Sequence, residues 1–150
     1  VDWFSNSQVV MHSDNQYRGF SVESQKNYVK EILQSKSNFL HGIFDNTIHI
    51  GNVTLGPIDF NHKRAEISYT IGKTEYWGRG IASFAVAKIC DLAKNEFGLR
   101  KVFTGCASGN IGSKKVLERN GFQLEDIRKK HLFYNGEWFD QLDYGLIFDR

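Results

Sequence analysis

Residues 75–82 read Glu75-Tyr76-Trp77-Gly78-Arg79-Gly80-Ile81-Ala82, and this stretch says more about the fold than any other part of the chain. A strand-like run precedes it, because apolar and polar residues alternate over residues 65–71. A helical pattern follows it, with apolar residues at Ile81, Ala85 and Ile89 on one face. A strand, a glycine turn and a helix N-terminus together direct several backbone N–H groups toward one point, where an anion can bind. The sequence therefore predicts that the backbone of this turn holds a phosphate group of a cofactor.

The composition is that of one globular domain covering residues 1–150. The chain has 41% hydrophobic and 24% charged residues, and its 150 residues are enough to bury a core. Its net charge of +2 is far below the basic balance of proteins that coat nucleic acid, and no apolar run approaches the ~20 residues that span a bilayer. The two cysteines are too few for a zinc site built from two cysteine pairs. We therefore expect a cytoplasmic domain that contacts neither nucleic acid nor a membrane and holds no metal ion.

The remaining patterns predict a mixed α/β domain built around one sheet. Apolar periodicity alternates along the chain between that of helices and that of strands, and the step Asn135-Gly136 is a strong hairpin signal. The predicted order is helix, three strands, helix, strand, helix and hairpin, over about residues 21–36, 39–44, 48–55, 65–71, 80–97, 101–106, 111–120, 123–131 and 138–148.

Two details of this prediction concern the first half of the chain. Ser21 is a good N-cap for the first helix, and Val29, Ile32 and Leu33 are expected to form the inner face of that helix. Residues 56–63 are expected to form a loop between the second and third strands.

A second informative block lies downstream of the glycine turn and reads Asn110-Ile111-Gly112-Ser113-Lys114-Lys115-Val116-Leu117-Glu118-Arg119-Asn120-Gly121-Phe122. The glycine turn by itself fits neither of two common phosphate-binding motifs, because Ser83 stands where a dinucleotide fingerprint needs glycine and no Gly-Lys-Ser/Thr follows. Together the two blocks resemble the GNAT superfamily of acetyl-CoA-dependent N-acetyltransferases. The first is similar to that family's pyrophosphate-binding motif, Gln/Arg-x-x-Gly-x-Gly/Ala, and the second to its Asn-x-x-Ser/Ala…Glu-x-x-Gly-Phe segment. The resemblance covers about residues 38–148. Within the family, the chain resembles more specifically the branch that contains ribosomal-protein alanine, polyamine and amino-sugar acetyltransferases.

The resemblance implies the GNAT α/β fold, in which helices flank a mixed, mostly antiparallel sheet and the cofactor lies where two neighbouring strands splay apart. Because the chain begins at Val1 rather than Met, the first strand of that fold can lie upstream of it. The cofactor implied is acetyl-CoA, bound as a co-substrate through backbone N–H groups of the glycine turn and through the edge of the preceding strand. The expected contacts are Tyr69, Thr70, Ile71, Trp77, Gly78, Arg79, Gly80, Ile81, Ala82 and Asn110.

Three positions qualify this resemblance. Glu75 stands where the motif has Gln or Arg, so Arg79 is expected to supply positive charge near the pyrophosphate. Asn110 either contacts the pantetheine arm, as an amide that both donates and accepts, or only caps the helix that follows it. Leu117 stands where many relatives have the tyrosine that protonates the leaving thiolate, and Ser113 or a bound water is expected to take that role.

Glu66 is the best candidate for a general base. It lies on the strand before the glycine turn, on the face opposite the apolar residues of that strand. An amine with a lysine-like pKa of about 10 is protonated at neutral pH, so some group must remove a proton before attack. The alternative is that Glu66 only pairs with Arg64 or Lys63, and His62 is a second candidate base.

The activity that the resemblance implies is direct transfer of acetyl to a primary amine in a ternary complex, which leaves no role for Cys106 as an acetylated nucleophile. The acceptor is expected to meet the first residues of the chain and the closing hairpin. An amino sugar linked to a nucleotide suits a mixture of aromatic, amide and cationic side chains, because arginine binds phosphate and rings stack on bases. That mixture comprises Trp3, Gln16, Tyr17 and Arg18. The alternatives are a ribosomal-protein N-terminus, a polyamine or, in another class, a non-catalytic acetyl-CoA-binding module, and the aromatic hairpin is a candidate homodimer interface.

Overall fold

The computed structural model describes Trp3, residues 6–13 and residues 21–148. Across these residues the order of elements is helix, three strands, helix, strand, helix and hairpin, as the sequence predicts. A short 3₁₀ turn, Thr74–Tyr76, lies between the third strand and the second helix. The elements are α1 (Val22–Gln34), β1 (Phe39–Asp45), β2 (Ile48–Asp59), β3 (Arg64–Ile71), α2 (Ile81–Asn95), β4 (Lys101–Ala107), α3 (Ile111–Arg119), β5 (Gln123–Tyr134) and β6 (Glu137–Ile147).

One six-stranded sheet forms the centre of the described chain, with the strand order β1-β2-β3-β4-β6-β5. Neighbouring strands are antiparallel except for β3 and β4, which run parallel. The predicted mixed, mostly antiparallel sheet is therefore confirmed. The parallel pairing is short, because it joins only residues 64–66 to residues 101–103 before the two strands diverge. Beyond this point the facing edges of β3 and β4 are not joined to each other, so a ligand can enter between them.

The hydrophobic core lies between the sheet and the helices α2 and α3. The alternation in β3 directs Ala65 and Ile67 into this core, and both are fully buried. Truncating a residue such as Ile67 to alanine in a well-packed core costs about 2–5 kcal/mol, so packing holds β3 firmly against α2. The buried stripe of α2 has helical spacing and comprises Ala85, Val86, Ile89, Cys90 and Ala93.

The start of α1 and the turn between β5 and β6 lie where local sequence signals predict them. Ser21 accepts a hydrogen bond from the Ser24 N–H and donates its own N–H to the Ser24 hydroxyl, both at 3.0 Å, so the two residues form a capping box for α1. The turn between β5 and β6 contains Asn135 and Gly136, whose φ angles of 53° and 77° are those of a type I′ turn. Both predicted signals are confirmed.

The predicted loop over residues 56–63 is wrong for residues 56–59. β2 continues past Leu55 to Asp59, and a register shift between Leu55 and Ile58 absorbs the irregularity within the strand. Only residues 60–63 form the turn into β3. A bulge and a loop have similar local signals in sequence, and the pairing partner across the sheet decides between them.

The predicted inner face of α1 is also wrong in part. Ile32 is buried as expected, whereas Leu33 is 67% exposed and Val29 is 38% exposed. The helix therefore meets the rest of the described chain along a narrower stripe than its apolar pattern indicates.

The described part of the chain contains neither a membrane-spanning helix nor a metal cluster. No helix in residues 6–13 and 21–148 is long and apolar enough to cross a bilayer. No group of three or more His, Cys, Asp or Glu side chains in the same residues could hold a metal ion.

Candidate active site

The split between β3 and β4 widens into a cleft of about 790 Å³. Two strand edges line it, residues 68–71 of β3 and residues 104–106 of β4. The glycine turn, the start of α2 and most of α3 line it as well. The N-terminal segment contributes five further residues, Gln8, Val9, Met11, His12 and Ser13. A cleft of this volume accommodates a ligand of cofactor or drug size.

The glycine turn needs its two glycines for their backbone angles. Gly78 and Gly80 have φ angles of 77° and 78°, and a Cβ atom on either residue meets nothing within 4 Å. The constraint is therefore the left-handed conformation and not space. Gly80 caps α2 without a side-chain hydrogen bond, and the first bond within the helix runs from the Phe84 N–H to the Gly80 carbonyl. The N–H groups of residues 81–83 therefore have no partner within the helix and are suited to an anion in the cleft.

The edge of β3 that faces the split offers backbone hydrogen-bonding groups. Gly72 donates its N–H to the Ile50 carbonyl of β2 at 2.8 Å. The neighbouring Ile71 carbonyl points to the opposite edge, where it accepts from the Trp77 indole N–H at 2.8 Å. Because backbone groups two residues apart point the same way along a strand, Tyr69 also directs its N–H and carbonyl toward the split. A pantetheine arm that pairs with this strand therefore meets Tyr69, while the Ile71 carbonyl already has a donor.

Side-chain positive charge lines the cleft from α3. Arg79 is the residue that was expected to supply this charge from the glycine turn. Its guanidinium lies 5.0 Å from the centre of the Tyr76 ring, and the Tyr76 hydroxyl donates to Asp45 at 2.7 Å. Lys115 and Arg119, one helical turn apart, line the cleft. Their spacing of four residues on one predicted helix is the signal in the sequence that could have marked them as a pair.

A hydrogen bond joins two residues that the sequence assigned to different roles. The Tyr69 hydroxyl lies 2.9 Å from the Ser113 hydroxyl, 44 positions further along the chain. Tyr69 belongs to the helix-facing side of β3, and burial raises its pKa to about 12, so its hydroxyl stays protonated at neutral pH. Ser113 lies in the first turn of α3, where its N–H donates to the Asn110 side chain at 3.1 Å. Asn110 is thus the N-cap of α3, and its contact with a ligand stays a prediction.

Glu66 lies on the side of β3 opposite to Tyr69, at the last pair of the parallel ladder. Ser68, two residues further along on the same face, lines the cleft, and so does Gly105 of β4. Loss of hydration raises the pKa of Glu66, and the negative charge of Asp143 raises it further. A carboxylate with a raised pKa is a stronger proton acceptor than an ordinary one. The Glu66 side chain is not among the described residues that line the cleft, and its role as a base stays a prediction.

Arg64, the alternative partner of Glu66, and His62, the second candidate base, both contact Asp59. The Arg64 guanidinium lies 3.7 Å from the Asp59 carboxylate and forms an exposed ion pair with it. The backbone N–H of His62 donates to the same carboxylate at 2.9 Å. His62 therefore lies in the turn before β3, at the opposite end of that strand from the glycine turn.

His12 is a cleft residue that sequence reasoning missed. Its ring lies edge-on to Phe139, with 5.2 Å between ring centres. Burial lowers the pKa of His12, and the negative charge of Glu137 opposes this only in part, so the imidazole is neutral at pH 7 and able to accept a proton. The segment is tied to the hairpin turn by a 2.9 Å bond from the Asn135 side chain to the Met11 carbonyl. No periodicity or motif near His12 indicates this position, because the contact depends on residues more than 120 positions away.

Two other predictions about the site have different outcomes. Burial is the main cause that raises the pKa of Cys106 to about 11, so this cleft residue is a neutral thiol at pH 7 and a poor nucleophile. Trp3 packs against His49, with 4.7 Å between ring centres, and is not among the described residues that line the cleft. The predicted acceptor contacts Gln16, Tyr17 and Arg18 lie outside the described residues.

Comparisons with known sequences found a matching family and several similar proteins. Residues 1–123 match the family model described as acetyltransferase (GNAT) domain. The protein named probable N-acetyltransferase YjcK of Bacillus subtilis (strain 168) is 34% identical over 128 residues, which cover 81% of this chain and 70% of that protein. The chain spans between 52% and 70% of the length of the first curated relatives that it matches.

Solved structures share the fold. The spermidine N-acetyltransferase from Vibrio cholerae, in complex with CoA and spermine, has a TM-score of 0.85 at 19% identity and covers 97% of this chain and 86% of its own. RimL, a ribosomal L7/L12 alpha-N-protein acetyltransferase in complex with coenzyme A, has a TM-score of 0.85 at 23% identity and covers 97% of this chain and 85% of its own. The predicted fold is therefore confirmed.

Proposed function

Because the chain belongs to the GNAT acetyltransferase family, we propose that it transfers the acetyl group of acetyl-CoA directly to a primary amine in a ternary complex. The observation that carries this proposal is the split between β3 and β4, which opens both faces of the sheet into one cleft. One face leads to the glycine turn and α3, and the other face carries Glu66. An amine that enters from the side of Glu66 can reach a thioester held in the split, and such positioning contributes much of the rate of a transfer reaction.

The cleft has the groups that acetyl-CoA requires. The N–H groups of residues 81–83 suit its pyrophosphate, because a helix N-terminus favours negative charge. Lys115 and Arg119 add the positive charge that its phosphates need. The open N–H and carbonyl of Tyr69 can pair with the amides of the pantetheine arm as a neighbouring strand does, and an N–H at this edge polarises the thioester carbonyl.

The residues divide the chemical work as follows. Glu66, directly or through a water, accepts a proton from the amine, whose nitrogen then bonds to the acetyl carbon. The bond between that carbon and the sulfur breaks, and the sulfur leaves with the electron pair. Ser113 donates a hydrogen bond to the leaving sulfur, since Leu117 has no donor. The neutral Cys106 thiol supports direct transfer over an acetylated-cysteine route.

The acceptor that the cleft favours is a neutral or anionic amine, of which an amino sugar linked to a nucleotide is our choice. Within the described residues the cleft lining contains no Asp or Glu, and the N-terminal segment contributes a neutral His12 to it. A polyamine carries several positive charges that a selective site would have to neutralise. The alternative acceptors are a polyamine and the N-terminus of a ribosomal protein. A structure of the same fold in complex with spermine supports the first, and one named for a ribosomal protein supports the second.

The test is CoA-thiol release from acetyl-CoA with four acceptor classes: nucleotide-linked amino sugars, spermidine, peptides with free N-termini and free amino acids. The N-acetylated form of each acceptor is the matched control, because it cannot react again at the same nitrogen. Turnover with the amino sugars alone supports the full proposal, and turnover with spermidine or peptides corrects the acceptor.

A melting experiment separates catalysis from binding. Acetyl-CoA at about 100 times its Kd is expected to add about 2.7 kcal/mol to the free energy of unfolding. Stabilisation by acetyl-CoA without turnover of any acceptor class identifies a non-catalytic acetyl-CoA-binding module. Absence of stabilisation contradicts the assignment of the cleft.

A further inference from the structure

The hydrogen bond between Tyr69 and Ser113 has a direction that chemistry can assign. A phenol is a stronger acid and a better donor than an alkyl hydroxyl, whereas the alkyl oxygen is the better acceptor. Tyr69 is therefore the donor and Ser113 the acceptor in this 2.9 Å contact. The Ser113 oxygen then directs its own proton away from Tyr69, and both residues line the cleft.

The surroundings of Ser113 keep its hydroxyl in this arrangement. Its backbone is held by the Asn110 cap, and Leu117, one turn further along α3, is 1% exposed and offers no polar atom that competes for the hydroxyl. Cys106, which also lies near Tyr69, is a neutral thiol and a weak hydrogen-bonding group.

We propose that Tyr69 is a positioning residue that holds the Ser113 hydroxyl with its proton directed at the leaving sulfur, so that the two residues together replace the donor that Leu117 lacks. This inference rests on the proposed function. A donor that itself accepts a hydrogen bond is polarised by it, and such chains strengthen cooperatively. No covalent change occurs at Tyr69 or Ser113. The nitrogen–carbon bond forms and the carbon–sulfur bond breaks with its electron pair on sulfur, so CoA leaves as the thiolate. Glu66 takes one proton from the ammonium nitrogen, and the second proton that this nitrogen loses as the amide forms passes to the solvent.

The first experiment is a double-mutant cycle with Tyr69→Phe and Ser113→Ala. Ser113→Ala removes the donor and is expected to lower kcat about 10²-fold, as loss of a transition-state donor does. Tyr69→Phe removes only the positioning bond and is expected to lower kcat about tenfold with the affinity for acetyl-CoA unchanged. Added to Ser113→Ala, the Tyr69→Phe change is expected to have no further effect, because its partner is gone.

The matched control is Tyr144→Phe. Tyr144 is a buried tyrosine of β6 whose hydroxyl bonds to Glu118, and it does not line the cleft. Its loss of a hydroxyl is expected to affect stability and leave kcat unchanged. A wild-type kcat for Tyr69→Phe, or an equal loss in the presence and absence of Ser113, overturns the inference.

A second readout does not depend on an acceptor. Bound CoA is titrated by the ultraviolet absorbance of its thiolate, with the CoA-free protein subtracted to remove the Cys106 signal. Tyr69→Phe and Ser113→Ala are each expected to raise the pKa of the bound CoA thiol, Tyr69→Phe by about one unit. An unchanged thiol pKa in both variants contradicts the inference even where acetyl transfer is normal. Raised values without any acetyl transfer leave the positioning role in place and count against the proposed function.

Discussion

The two sides of the cleft are built by different means. The cofactor wall, which comprises the glycine turn, the start of α2 and residues 110–119, offers backbone N–H groups and a short helix with its cap. The acceptor wall, on which we propose that the amine docks, comprises the cleft-lining residues of the segment 8–13 and the Glu66 face of β3, of which Ser68 lines the cleft. This wall offers side chains from distant parts of the chain. A few consecutive residues determine a binding site made of backbone N–H groups, whereas tertiary contacts between distant residues determine a pocket made of side chains.

This difference teaches that binding and chemistry can be changed separately. Substitutions in the cofactor wall should alter the affinity for acetyl-CoA, because we propose that this wall binds its phosphates and amides. Substitutions in the acceptor wall should alter kcat or the acceptor while acetyl-CoA binds normally. A variant that violates this division contradicts the assignment of the two walls.

The largest expected effect belongs to Glu66→Gln in the acceptor wall. The amide cannot accept the amine proton, so kcat should fall about 10²–10⁴-fold, the typical contribution of a general base. The affinity for acetyl-CoA should not change. Steady-state kinetics and calorimetric binding measure the two quantities, and His12→Gln tests the other proton acceptor of this wall. Full activity in Glu66→Gln together with loss in His12→Gln assigns the base to His12.

The pH profile sharpens the same test. Glu66 accepts a proton only when ionised, and its raised pKa places the acid limb of kcat/KM above the range of an ordinary carboxyl group. Asp143→Asn removes one cause of that shift and releases Arg128, which lies 3.0 Å from Asp143, so the acid limb should move to lower pH.

The raised pKa of Glu66 also predicts how this residue affects stability. Because ionised Glu66 is unfavourable in the folded state, the stabilising contribution of Glu66 is lost as pH rises through that pKa. Glu66→Gln should therefore not lower Tm at pH 7.

An intermediate effect is expected for Gly80→Val in the cofactor wall. A β-branched residue at a φ of 78° costs about 1–3 kcal/mol and turns the N–H groups of α2 away from the cleft. The Kd for acetyl-CoA should rise about 10–100-fold. Gly98→Val is the control, because Gly98 also has a positive φ, of 62°, with open space around it, but follows the far end of α2. Equal affinity loss in both variants would show a general folding defect.

The smallest expected effect belongs to the double change Lys115→Ala and Arg119→Ala. Exposed ion pairs contribute about 0.2–1 kcal/mol each, so the Kd for acetyl-CoA should rise only a few-fold. The effect should shrink at high salt, because ions screen the phosphates. Lys94→Ala, in the last turn of α2, is the control for the loss of surface charge. An increase in Kd that is the same at low and high salt concentration contradicts an electrostatic role for Lys115 and Arg119.

The sequence predicts best where a signal and its structural effect are adjacent in the chain. The glycine turn, the Asn110 cap and the type I′ turn at residues 135–136 are local, and the structure has each of them. The order of elements follows from the same signals. The β2 bulge at residues 55–58 was mistaken for a loop, because only its partner strand shows that pairing resumes.

The site itself could be predicted only in part for the same reason. The bond between Tyr69 and Ser113 spans 44 positions, and the packing of His12 on Phe139 spans more. Neither leaves a periodic trace in the sequence. The contact of Arg79 with the cofactor stays a prediction, and Arg79 is not among the described residues that line the cleft. Its guanidinium lies over the Tyr76 ring, a contact that its charge alone does not reveal.

The start of α2, which Gly80 caps without a side-chain hydrogen bond, has a consequence for how the proposed reaction responds to its product. Under the proposed function, this helix end and the β3 edge bind groups that acetyl-CoA and CoA share, so the product is expected to bind nearly as well as the substrate. Free CoA should therefore compete for the cleft, and the rate of the reaction should follow the ratio of acetylated to free CoA rather than the amount of acetyl-CoA.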